Sequence, residues 1–131
     1  MRNFCLLLIA LAQPVGAQDR ALSPEEFEAI VTGQTLLYSS MGRTFGAEKY
    51  LPNRQVRWSF LDGICEDGEW YVSGDLICFI YETIEGPQCW SFFLNDGRIM
   101  ARFENDPGAT ELYETDRQSE PLYCLGPEIG V

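Results

Sequence analysis

The chain has 131 residues, with 20 acidic and nine basic side chains, no histidine and a formal net charge of −11 at pH 7. A chain this acidic repels the phosphates of nucleic acids and the head groups of anionic lipids. We therefore expect neither as a partner. The absence of histidine excludes Ser-His-Asp and Cys-His catalysis, and the length favours a single domain.

Residues 1–17 have the pattern of a secretory signal peptide. Arg2 forms a short basic region, residues 4–12 form an apolar core too short to span a bilayer, and small residues precede a cleavage site. We therefore expect a periplasmic or secreted protein, with residues 18–131 forming one disulfide-stabilised β domain that has no membrane span. Loss of Cys5 with the peptide would leave four cysteines.

The one helical pattern lies between residues 22 and 34. Ser23 suits the N-cap, Pro24 the first helical position, Glu26 completes a capping box, and Gly33 suits the C-terminal end. The apolar residues of this helix form one stripe: Phe27, Ile30 and Val31. A helix this short is unstable alone in water, so we expect it to pack against the rest of the domain.

The remaining sequence is a series of short strand patterns separated by turn residues such as Gly74-Asp75 and Asp96-Gly97. The predicted strands cover residues 35–40, 47–51, 55–61, 69–73, 76–82, 88–95, 98–104 and 110–115. This spacing, without alternating helices, predicts a mainly β fold: an antiparallel meander forming a curled sheet or small barrel of about seven to eight strands, with one short N-terminal helix.

Four cysteines remain after cleavage: Cys65, Cys78, Cys89 and Cys124. An even number in an exported chain predicts two disulfides, and the wide spacing argues against zinc or a redox pair. Four cysteines allow three pairings. We prefer Cys65–Cys78 with Cys89–Cys124, because the second bond would fasten the tail. A Cys78–Cys89 bond would need direct opposition of two strands, in a register that the loop 83–87 leaves open.

Acidic side chains are the other candidates for chemistry. The loop 62–69 has four carboxylates without calcium-loop spacing, so we expect a solvated turn and no metal or cofactor. A pair of carboxylates could hydrolyse a glycosidic bond. The available residues are Glu69, Asp75, Glu82 and Glu85. Because their spacing selects no pair, we expect no catalytic residues and no enzyme.

Aromatic residues crowd the predicted strands and could either form a solid core or line a pocket for a small apolar molecule. The candidate lining residues are Trp58, Trp70, Tyr81, Trp90 and Phe92. Gly68-Glu69-Trp70 also matches the Gly-x-Trp of lipocalin-like barrels, although it occurs in the middle of the chain.

A longer pattern carries a resemblance. It comprises Cys65, Gly68-x-Trp70-Tyr71, Gly74-Asp75-x-Ile77-Cys78-Phe79-x-Tyr81-Glu82 and Cys89-Trp90. The chain resembles small secreted proteins of Gram-negative bacteria in which a helix precedes this Cys- and Trp-rich β pattern. The resemblance implies the periplasm and a disulfide-bonded fold, and it implies no activity and no catalytic residues.

These observations favour a non-enzymatic periplasmic domain that acts through its surface on a protein or cell-envelope partner. The alternative is a lipocalin-like carrier of a small apolar ligand, and a small carboxylate-dependent hydrolase ranks third. An apolar cavity larger than a few water molecules would favour the carrier.

Overall fold

The computed structural model describes residues 20–125, which form a closed barrel of eight antiparallel strands and one short helix. The predicted mainly β fold is confirmed. The predicted signal peptide lies outside the described residues. Within residues 20–125, no helix is long and apolar enough to cross a bilayer.

Each strand pairs with the next along the chain, and β8 pairs with β1 to close the barrel. The elements are α1 (Pro24–Val31), β1 (Thr35–Ser40), β2 (Arg43–Tyr50), β3 (Gln55–Ser59), β4 (Cys65–Ser73), β5 (Leu76–Tyr81), β6 (Gln88–Asn95), β7 (Arg98–Phe103) and β8 (Glu111–Gln118). Closure leaves no unpaired sheet edge, which is how small β domains avoid edge-to-edge aggregation.

The predicted strand 69–73 begins four residues too late, and the predicted acidic loop 62–69 is wrong in its second half, because β4 already begins at Cys65. Glu66 lies opposite Trp58, and Asp67 lies opposite Arg57 in β3. The Asp67 carboxylate accepts a hydrogen bond from Arg57 Nε at 2.7 Å. The acidic segment 65–67 is therefore part of the sheet, and an ion pair joins it to β3.

Helix α1 has the predicted capping box. The Ser23 hydroxyl accepts a hydrogen bond from Glu26 N, and the Glu26 carboxylate accepts one from Ser23 N. Phe27 and Val31 are fully buried. Phe27 reaches the rings of Tyr50 and Trp70 at centroid distances of 5.6 and 5.5 Å. The helix thus covers one end of the barrel, which we call the closed end.

The opposite end, which we call the open end, carries the connections β1–β2, β3–β4, β5–β6 and β7–β8. The alternation of side chains along each strand points every second residue into the barrel. Along β2 these residues are Gly46, Glu48 and Tyr50, and along β5 they include Phe79 and Tyr81. The inward residues of all eight strands make the core that Phe27 closes from below.

The four cysteines form two disulfides, as predicted, but the preferred pairing is wrong. The bonds are Cys65–Cys124 and Cys78–Cys89, not Cys65–Cys78 and Cys89–Cys124. Cys78 lies directly opposite Cys89 in the middle of the β5–β6 pair, which has only three residue pairs. The loop between these strands was too long for its register to be derived from sequence. Two disulfides indicate an oxidising, extracytoplasmic environment.

Candidate functional site

A cavity of about 150 Å³ occupies the half of the barrel nearer the open end. Its wall is mostly aromatic and aliphatic. The lining residues are Tyr38, Phe45, Glu48, Tyr50, Trp58, Phe60, Phe79, Tyr81, Ile84, Gln88, Trp90, Phe92, Ala101 and Leu112. These residues come from all of the strands except β4 and from the loops of the open end, so only the closed barrel assembles them.

The cavity meets solvent at the open end. Phe45 and Phe60 line it and are 37% and 55% exposed, respectively. Their rings pack at a centroid distance of 5.8 Å, and Ile84 of the β5–β6 loop faces the same space. Two apolar rings and an aliphatic side chain therefore form the mouth. On the other side, Phe27 packs on Phe92 at 4.3 Å and closes the floor.

Among the described lining residues, Glu48 is the only one with a charged side chain, and it is 2% exposed. It lies in β2 between Leu36 and Trp58 of the neighbouring strands. Tyr81 Oη donates a hydrogen bond of 2.7 Å to Glu48 Oε1. Within residues 20–125, Glu48 Oε2 is buried without a hydrogen-bond partner. Burial raises the pKa of Glu48 to about 8, although the hydrogen bond from Tyr81 opposes this rise.

Two of the three tyrosines near Glu48 are hydrogen-bonded to each other. The hydroxyl groups of Tyr38 and Tyr50 are 2.8 Å apart and share a hydrogen bond. Burial raises the pKa of Tyr38, Tyr50 and Tyr81 well above that of a free tyrosine, so all three stay neutral at physiological pH. The polar side chains of the lining are therefore three neutral tyrosines, the carboxyl group of Glu48 and the amide of Gln88.

Glu114 of β8 is a second buried glutamate, and it shows how such a group is ordinarily accommodated. Arg98 and Arg117 bind its carboxylate at 3.3 and 2.5 Å. The amide of Ile99 donates a further hydrogen bond at 3.0 Å. Among residues 20–125, Glu114 has two cationic partners and Glu48 has none, so the half-satisfied carboxyl group in the cavity is the exception.

Four of the five predicted lining residues meet in the cavity: Trp58, Tyr81, Trp90 and Phe92. Trp70 does not line it. The Trp70 ring packs edge to face with Phe27 at 5.5 Å, and the Arg54 guanidinium lies over the indole at 4.4 Å from the ring centroid. Trp70 is thus part of the closed end, and its prediction as a lining residue is corrected.

The carboxylates considered for hydrolysis do not converge on the cavity. None of Glu69, Asp75, Glu82 and Glu85 is among the lining residues. Asp75 lies in the β4–β5 turn at the closed end, whereas Glu85 lies in the β5–β6 loop at the open end. Among residues 20–125, no three His, Cys, Asp or Glu side chains are grouped as a metal site would require.

Sequence reasoning missed Glu48, the most unusual group of the site. The available signal was parity, because Glu48 is two residues from Tyr50 and alternate residues of a strand share a face. Nothing in the predicted strand 47–51 indicated that this face is buried. Burial of a lone carboxyl group costs free energy, and it usually marks a site rather than a structural residue.

In comparisons with protein-family models, curated proteins and solved structures, the chain has no match. Function must therefore be inferred from the cavity itself. The lining offers aromatic rings, hydroxyl groups, one amide and one carboxyl group, and an apolar pocket with a few polar groups is typical of a small-molecule site.

Proposed function

We propose that the protein binds a small, mainly apolar molecule inside the barrel and carries it in the periplasm, in the manner of a lipocalin-like carrier. The single observation that supports this proposal is the aromatic cavity with a mouth at the open end. A solid core would have supported a surface-acting domain instead. The expected protein or envelope partner stays a prediction, because nothing in residues 20–125 identifies one.

The size of the cavity limits the ligand. Engineered apolar cavities of about 150 Å³ in other proteins hold a benzene molecule. The cavity here has about the same volume and also opens to solvent between Phe45 and Phe60. A single ring with a short side chain, on the order of ten non-hydrogen atoms, is the expected size. Ligands of that size reach a Kd of roughly 10–100 μM when they fit well.

Binding of ethylbenzene, measured by isothermal titration calorimetry, tests the proposal. Ala101 lies in the cavity wall and is 1% exposed, so Ala101→Leu places extra carbon atoms in the space that the ligand would occupy. We expect saturable binding to the wild type and its loss in Ala101→Leu, while the fold is retained. Ala109→Leu, in the exposed β7–β8 loop, is the matched control and should bind as the wild type does.

No saturable binding to the wild type would overturn the proposal. The same would follow from equal binding to wild type and Ala101→Leu, since the probe would then occupy some other surface.

A further inference from the structure

Glu48 Oε2 distinguishes this cavity from a purely apolar one. Glu48 is almost completely buried and lines the cavity, and its Oε2 atom has no hydrogen-bond partner within residues 20–125. Buried polar atoms in folded proteins are nearly always paired, so an unpaired oxygen that faces a cavity offers an acceptor to a molecule bound there.

The surroundings of Glu48 favour a positively charged partner. The wall of the cavity is rich in aromatic rings, and the faces of such rings attract cations. The lining rings belong to Tyr38, Phe45, Tyr50, Trp58, Phe60, Phe79, Tyr81, Trp90 and Phe92. No lysine or arginine is among the described lining residues. The net charge of −11 adds a long-range attraction for cations and repels anions.

From this geometry we infer that the ligand is a small organic amine, with its ammonium group bound to Glu48 Oε2 and its apolar body enclosed by the aromatic wall. This inference rests on the proposed function and names its ligand class. Tyr81 Oη donates to Oε1, so it stabilises the carboxylate form while it leaves Oε2 for the ammonium group. The ammonium group thus takes the position beside Glu48 that Arg98 and Arg117 take beside Glu114.

Binding of the amine at Glu48 is coupled to the release of a proton. In the free protein Glu48 has a pKa of about 8 and is protonated at neutral pH. When an ammonium ion binds, the carboxylic acid releases its proton to solvent and becomes the counter-ion. The facing groups are Tyr38 on β1, Tyr50 on β2 and Tyr81 on β5, and all three stay neutral over this range. Below pH 8, affinity for the amine should rise about tenfold per pH unit, with release of about one proton per ligand.

Two isosteric probes test the inference: 2-phenylethylamine, which is cationic, and 2-phenylethanol, which is neutral. We expect calorimetry at pH 8 to show the amine binding more tightly than the alcohol. Glu48→Gln should weaken amine binding about 10- to 100-fold, the range for a lost hydrogen bond to a charged group, and change alcohol binding little. Glu85→Gln removes the same charge from an exposed loop near the mouth and should leave amine binding unchanged.

The pH profile of the wild type is a second measurement that needs no variant. Titrations in buffers of different ionisation enthalpy should show proton release with the amine below pH 8 and none with the alcohol. Equal affinity for both probes without proton release would overturn the inference but leave the proposed function intact. Tighter binding of the alcohol would overturn it too, since Glu48 would then act as a neutral donor. No binding of either probe or of ethylbenzene would overturn both.

Discussion

Glu48 should make the protein less stable as pH rises, and substitution by glutamine should remove this dependence. The pKa is raised from 4.5 to about 8 by burial. Below pH 4.5 the group is protonated in the native and unfolded states and contributes nothing. Between these values the unfolded chain loses a proton that the native state keeps, so the free energy of unfolding falls by about 1.4 kcal/mol per pH unit. Over the whole interval the loss is on the order of 5 kcal/mol.

Urea denaturation of wild type and Glu48→Gln at several pH values from 5 to 8 measures the effect. Glutamine is neutral throughout and keeps the oxygen that accepts from Tyr81. The excess stability of the variant should therefore grow with pH, to roughly 3 kcal/mol or more at pH 7 relative to acid conditions. Taking the difference between the two proteins cancels the titration of all other groups. Glu85→Gln, in an exposed loop, should show no such trend. A constant difference between Glu48→Gln and wild type would refute the account of a lone buried carboxyl group.

Three further substitutions test the elements that shape the cavity. Phe27→Ala should cost about 3–5 kcal/mol in urea denaturation and deepen the floor, so that butylbenzene binds more tightly than to wild type; unchanged affinity would contradict the assigned floor. Gly68→Ala should lower Tm and weaken amine binding, because its Cβ would clash with the backbone oxygen of Ile80 and lie 2.8 Å from Tyr81 Cδ1; a variant with wild-type Tm and affinity would speak against this. Removing the Cys65–Cys124 bond by alanine at both positions should cost about 4 kcal/mol, since it closes a separation of 59 residues; a loss under about 1 kcal/mol would refute that role.

Much of the fold was predictable, because its signals are local. The capping box of α1 lies within four residues, and the Gly74-Asp75 and Asp96-Gly97 turns each combine glycine with an acidic neighbour. Asp96 and Gly97 both have the positive φ that such a two-residue turn requires. The strand alternation then favoured an antiparallel meander. Closure between β1 and β8 could not be derived in this way, because it joins residues about 80 positions apart.

The candidate site was predictable only in part, for the same physical reason. The aromatic composition indicated either a core or a cavity, and parity alone could not show that Trp70 packs on Phe27 and does not line the cavity. Gly68 falls in the predicted acidic loop 62–69, yet it lies within β4, where its missing side chain leaves room for the Ile80 backbone oxygen and for Tyr81. These assignments depend on which rings meet across the barrel, and that follows from closure and from the helix at the closed end.

The three tryptophans give the most direct test of the central claim, that a small apolar molecule occupies the barrel. Trp58 and Trp90 line the cavity, whereas Trp70 packs against Phe27 and does not line it. Their indole N–H signals can be followed by NMR during a titration with ethylbenzene. If the ligand occupies the cavity, we expect saturable shifts of the Trp58 and Trp90 signals with one common Kd, and a much smaller shift of the Trp70 signal. Absence of saturable shifts, or shifts of equal size at all three tryptophans, would contradict this claim.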